Sequence, residues 1–317
     1  MTDAATNAPQ EGPREGPPEG PSDSPQVAHD TCALPLVRRL AAMLDRDPLA
    51  LREGDPLPHG WHVALFNSPT RQSQLRSDGA ADLGVSLPDV GLPRLMMGGR
   101  QCRFALDIPI GSHVRRETRQ GEVQIKHGRS GRFALVRVEH RIFVEGGLQP
   151  AVVENTDYVL REAASPQAPL VPPMPPAPGT PASPATLATP ATLATPKTQA
   201  VEAPRPDASM TLVPDEALLF RYSAITDNPH RIHYDLAYAK GAEGYPALVV
   251  NGSIPAMFLL ELFRATAGRE PATFTSRNVA PMFSGRALQL NAMKDGDSWR
   301  LWAQDGQGQT LFDARAD

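Results

Sequence analysis

Two of the eight histidines in this 317-residue chain, His230 and His233, stand three residues apart. Asp227, Asp235 and Glu243 lie close by. The stretch 221–261 then runs through Val249-Val250-Asn251-Gly252-Ser253 into an apolar segment. Titratable groups set against an apolar wall suit proton transfer, because burial and neighbouring charge tune a histidine's pKa. A metal reading is weaker. His230, His233 and Asp235 offer three donors, HxxH on a helix is an awkward spacing, and no further ligand is evident. No metal or redox cofactor is implied.

The apolar segment is the element that must hold these groups. From 254 to 265 only Glu261 and Arg264 interrupt a run that includes Ile254, Met257, Phe258, Leu259, Leu260, Leu262 and Phe263. A helix apolar almost all round must be enclosed. Ser253 can cap it, Pro255 suits its first turn, and Gly268 can end it. Asp215 is a plausible N-cap for a helix over 216–225. Strand-like runs follow at 273–283, 287–293, 299–304 and 310–314. The first half predicts a helix on Leu36, Val37, Leu40, Met43 and Leu44, stopped by Pro48. Residues 55–97 are loop-rich, with Trp61, His62, Leu65 and Phe66 in a buried turn. Runs at 100–107, 114–125, 133–144 and 152–160 read as a four-stranded antiparallel meander. A meander, a buried helix and a second meander make an α+β pattern, met by a sheet wrapped around one helix.

Many of the 34 prolines fall in two segments that cannot bury enough surface to order. These are a tail over 1–27 and a linker over 163–206 with a PATLAT repeat. At about 3 Å per residue such a linker can cross a compact domain. A net charge of -4, mixed along the chain, excludes the basic stripe of a nucleic-acid binder. The two cysteines, Cys32 and Cys102, fit a reducing cytosol. The most apolar run, 246–263, is broken by polar residues and falls short of the ~20 apolar residues that span a bilayer. The expectation is a soluble cytoplasmic protein with no nucleic-acid or membrane partner.

Residues 222–226 (YSAIT), 230–235 (HRIHYD) and 244–250 (GYPALVV) resemble the MaoC-type hydratases and dehydratases. The subgroup resembled has a fatty-acid-synthase-type dehydratase N-terminal half. Segments 91–94 (GLPR), 98–100 (GGR) and 128–131 (GRSG) fit it more loosely. The resemblance implies a double hot-dog fold, an antiparallel sheet wrapped around a central helix in two repeats. A degenerate N-terminal half would span 28–162 and a catalytic half 207–317. It implies a hydro-lyase acting on a short enoyl- or 3-hydroxyacyl-CoA. A mesaconyl-like C4-dicarboxyl thioester comes first, and a 3-hydroxyacyl thioester of fatty-acid metabolism second. His233 falls on the family's acid/base histidine. Five residues before it stands Asn228, where R-specific hydratases carry Asp, so Asn228 would orient the water. His230 or Asp227 would tune the histidine, and the Gly252 amide would hold the thioester oxygen. Arg231, Tyr245 and Arg100 are the substrate-binding candidates. A free carboxylate on the substrate requires a pocket arginine, from Arg94, Arg100, Arg231 or Arg277. The alternative is a hot-dog protein that binds an acyl thioester without turnover. A homodimer of the fused unit follows by analogy.

Overall fold

The computed structural model describes residues 24–67, 70–81, 90–92, 94–128, 131–162 and 205–317. The expected linker therefore lies almost wholly outside the described residues, as does most of the expected tail. Strand β1, Gln26–Thr31, begins two residues inside that tail. Helix α1, Leu34–Met43, follows, and buries Val37, Leu40, Ala41 and Met43. A buried 3-10 turn at Trp61–Ala64 comes next. Then come β2 Arg94–Phe104, β3 His113–Gly128, β4 Gly131–Val144 and β5 Val152–Arg161.

The second half opens with β6, Ala208–Leu212, an edge strand unforeseen in the sequence. Helix α2, Glu216–Ile225, starts where the Asp215 carboxylate accepts from Leu218 N–H. A short helix α3, Leu236–Gly241, is capped in the same way by Asp235. Helix α4 spans Ser253–Ala267 and is followed by β7 Thr273–Asn278, β8 Leu288–Asp295, β9 Ser298–Gln304 and β10 Thr310–Ala316. Strand β7 is shorter than the run 273–283 suggests. Pro281 has no N–H for a ladder, and 279–287 leaves the sheet as a loop.

All ten strands form one antiparallel sheet in the order β1-β3-β4-β5-β2-β7-β10-β9-β8-β6. Read from its outer edge inward, each half has the same order: first, third, fourth, fifth, second strand. The halves join where β2 pairs with β7, Gly99 opposite Arg277 through Arg103 opposite Thr273. This corrects the expected four-strand meander. Only three strands of each half meander, and the second strand of each crosses over to reach the middle of the sheet.

Helix α4 fills the curve of the second half. Ile254, Met257, Leu259, Leu260 and Phe263 are each at most 2 % exposed. At roughly 1.5–3 kcal/mol per buried large apolar side chain, these five favour folding by about 10 kcal/mol before chain entropy. Its polar positions meet the first half: the Trp61 indole N–H donates to Glu261 Oε1 at 3.0 Å. Among the described residues, 44–81 holds only 3-10 turns and no long helix comparable to α4. The concave face of the first half is therefore left open to a cavity.

Candidate active site

The site is built from the turn that closes α2. Asp227 has φ 46°, a left-handed residue past the helix end, and Asn228 N–H returns to Ser223 O at 2.9 Å. This is a Schellman closure with Asp in the place glycine usually takes. It fixes Asn228, whose Oδ1 accepts from His230 N–H at 3.2 Å. Asn228 therefore offers its Nδ2 donors. Asp227 itself is exposed at the rim.

A 3-10 turn at Arg231–His233 then carries His233 inward until it is only 7 % exposed. Its Nδ1 lies 2.8 Å from Val249 O. A carbonyl only accepts, so Nδ1 bears the proton and Nε2 keeps its lone pair. Burial pushes the His233 pKa down to about 4, opposed by the Val249 bond. The ring is thus a neutral base at physiological pH. His230 packs edge-on, ring centroids 5.6 Å apart, and burial lowers its pKa as well.

The chain next passes Tyr245, buried beside Phe283, and reaches α4. Asn251 Oδ1 accepts from Ser253 N–H at 3.1 Å. Ser253 is thus the first residue of the helix, and Gly252 takes the cap position expected of Ser253. The Gly252 N–H makes no hydrogen bond among the described residues. It also sits at the positive end of a 15-residue helix. A Cβ on Gly252 would stand 2.6 Å from Asn278 Oδ1, so the Asn278 side chain on β7 favours glycine here.

A cavity of about 690 Å³ joins these groups. Asp227, Asn228, His230, His233, Tyr245 and Gly252 line it from the second half, and Arg100, Arg116 and Tyr158 from the first. Arg231, expected on substrate, is committed elsewhere. Its Nη2 donates to Asp235 Oδ2 at 2.7 Å, its guanidinium stacks 4.1 Å over Tyr238, and its N–H donates to Asp78 O. It pins the loop bearing His230 and His233 to the first-half turn at 76–81. Arg277 lines a neighbouring groove. The Arg94 side chain lies outside the described residues.

Sequence reasoning missed a polar row on the concave face of the first half. Cys102, Glu154, His140 and Thr118 stand opposite one another across β2, β5, β4 and β3. Glu154 accepts from His62 Nε2 at 2.9 Å and from Thr156 Oγ1 at 2.9 Å, and Arg100 Nε lies 3.2 Å away. Arg100 and His62 hold the Glu154 carboxyl well below the usual range despite its burial. Thr118 Oγ1 lies 2.9 Å from His140 Nδ1. The donor atoms of His62, Cys102 and Glu154 lie within 4.8 Å of one another, but the Arg100 guanidinium supplies the positive charge that a cation would. The period-two placement of charged residues on an inward strand face was the available signal.

A neutral histidine and a helix-start amide lining one cavity suit addition of water across a double bond conjugated to a thioester. The sheet order is that of a double hot-dog protein. The family model for hydroxyacyl-thioester dehydratase type 2 matches residues 185–284. Mesaconyl-C4-CoA hydratase of Chloroflexus aurantiacus is 37 % identical over 291 residues, 91 % of this chain and 93 % of that protein. A MaoC-like dehydratase from Phytophthora capsici superposes with a TM-score of 0.62 at 15 % identity, over 92 % of this chain and 95 % of that one. A double hot-dog protein of Mycobacterium tuberculosis gives 0.53 at 16 % identity, over 93 % and 96 %. The chain belongs to the MaoC-like hydratase and dehydratase family of the hydroxyacyl-thioester dehydratase type 2 kind, and is a hydro-lyase. Among the described residues no helix is long and apolar enough to cross a membrane.

Proposed function

We propose that this protein hydrates mesaconyl-C4-CoA to citramalyl-CoA. The observation that carries the chemistry is the fixed tautomer of His233, its Nε2 lone pair facing the cavity that the Gly252 amide also enters. His233 takes a proton from water held by Asn228 Nδ2. The hydroxyl adds to the carbon β to the thioester, and the imidazolium returns a proton to the α-carbon. The Gly252 N–H holds the thioester oxygen as enolate charge develops there. His230 tunes the base from its edge-on position. In this reading 207–317 is the catalytic half, 28–162 is a degenerate half that closes the acyl cavity, and 163–206 spaces the two. Two free, buried cysteines support a reducing, cytoplasmic setting.

The substrate follows from the named relative and from the arginines in the cavity wall. A long aliphatic 3-hydroxyacyl chain would lie against Arg100 and Arg116. The test incubates the protein with mesaconyl-C4-CoA and with crotonyl-CoA and follows loss of enoyl-thioester absorbance, with mass spectrometry for the hydrated product. Turnover of mesaconyl-C4-CoA is expected, and His233→Ala should lower it by about 1,000-fold with the fold intact. Binding of both thioesters with turnover of neither would leave Asn228 marking a non-catalytic binder.

A further inference from the structure

We propose that Arg116 reads the free carboxylate of the acyl group, which puts selectivity for a dicarboxylic thioester on a strand of the first half. This rests on the substrate reading above and names the residue responsible. Along β3, Val114 and Thr118 are buried, so Arg116 between them shares their inward face. Its side chain lines the cavity and stacks 4.9 Å over Phe66. Among the described residues it has no hydrogen bond and no ion pair, and its Nε is buried without an acceptor. Burial lowers its pKa, and the more distant Glu154 and Asp30 oppose that shift without cancelling it.

Arg100, one of the four arginines the sequence offered, stands in a different position. Its Nε lies 3.2 Å from Glu154 Oε1, and that carboxylate also serves His62 and Thr156. Glu154 is thus in direct contact with Arg100, His62 and Thr156 and reaches Arg116 only through space, so among the described residues Arg116 lines this wall with no direct ion pair. An unpaired guanidinium in an acyl cavity is costly until an anion enters, and its planar fork matches a carboxylate. Mesaconyl-C4-CoA carries its free carboxylate on the carbon that receives the hydroxyl. Holding that carboxylate also offsets its repulsion of the incoming oxygen.

The experiment measures kcat/KM for mesaconyl-C4-CoA and for 3-methylcrotonyl-CoA, which has a methyl group in place of the carboxylate. Wild type, Arg116→Gln and Arg116→Lys are compared, with thermal melts to check folding. Wild type should favour the dicarboxylic thioester, and Arg116→Gln should reduce the ratio of the two kcat/KM values by about 100-fold. Arg116→Lys, charged but without the fork, should recover part of it. An unchanged ratio, or an equal fall for both substrates, overturns the role of Arg116 while the substrate reading stands. A wild type indifferent to the carboxylate overturns the substrate reading and this inference with it. If the Gln variant does not fold, the Lys variant decides: a ratio lowered by about 10-fold supports the role, and an unchanged ratio overturns it.

Discussion

Asn228 can donate a hydrogen bond to water but cannot take its proton, so in the proposed reaction the proton goes to His233. Burial holds that ring's pKa to about 4, and nothing acidic contributes to its shift. The acid limb of kcat/KM should therefore fall near pH 4. Asn228→Asp would bring a carboxylate to the same wall, favour the imidazolium, and raise the His233 pKa. The limb should move to higher pH, as a profile from pH 4 to 9 would show; an unmoved limb would mean that position 228 does not sense His233. Gly252 is open to a similar test. Its Cβ would press on the Asn278 amide, 2.6 Å from Oδ1 and 2.8 Å from Nδ2. Asn278 Nδ2 is itself held by Met97 O, so the strain of Gly252→Ala falls on the helix start and its amide as well as on Asn278. A fall in kcat of about 100-fold is expected, in the range for loss of one oxyanion donor. Adding Asn278→Ala removes the obstruction and should restore part of the rate. A double variant no faster than the single one would show that the close approach is not what fixes the amide.

The elements that carry these residues differ in how plainly the sequence announces them. Helix α4 was legible because a run apolar on nearly every side has no stable place except inside. Helix α2 was legible from Asp215, and most strands from their β-branched and aromatic content. Their order was not. Residues 99–103 pair with 273–277 across the whole chain, and no local pattern encodes a contact of that range. The anchoring of the Arg231 loop was not legible for a related reason, since its partners at Ser77 and Asp78 come from the other half. The polar row was hidden because its members come from four strands, and only the pairing of β2, β5, β4 and β3 sets Cys102, Glu154, His140 and Thr118 side by side. That row makes a prediction about β5. Glu154→Leu leaves Arg100 and His62 buried without their acceptor, and breaking a buried pair on one side costs about 3–5 kcal/mol. Urea denaturation should show a loss of that size. Replacing Arg100 by Met as well removes the orphaned charge, so the double variant should be more stable than the Glu154→Leu single. Simple addition of the two effects would mean that the pair is not coupled.

For the molecule as a whole, two buried neutral histidines, one in each half, set how stability depends on acid. Burial brings His140 down to about 4, as it does His233, from an ordinary value of 6.5. Arg116, Arg100 and His62 also push His140 down, while Glu154 opposes them. The sign follows from which state binds more protons. Below pH 6.5 the unfolded chain protonates both rings while the folded chain does not. Stability is therefore full above about 6.5 and declines as pH falls to about 4, where the folded rings protonate too. Glu154 adds its own loss from about pH 5 downward, because the unfolded carboxylate protonates near 4.5 while the folded one stays ionised well below that. The ten-stranded sheet runs unbroken through both halves, so protonation on either side should weaken one cooperative unit. Melting temperature recorded at pH 7, 6, 5 and 4 should fall at each step in a single transition. His140→Gln, which keeps a hydrogen-bonding group for Thr118 but cannot titrate, should flatten the fall by less than half, because His233 and, with its own lowered pKa, His230 still contribute. A fall that His140→Gln leaves unchanged would place the acid sensitivity outside the first half's polar row.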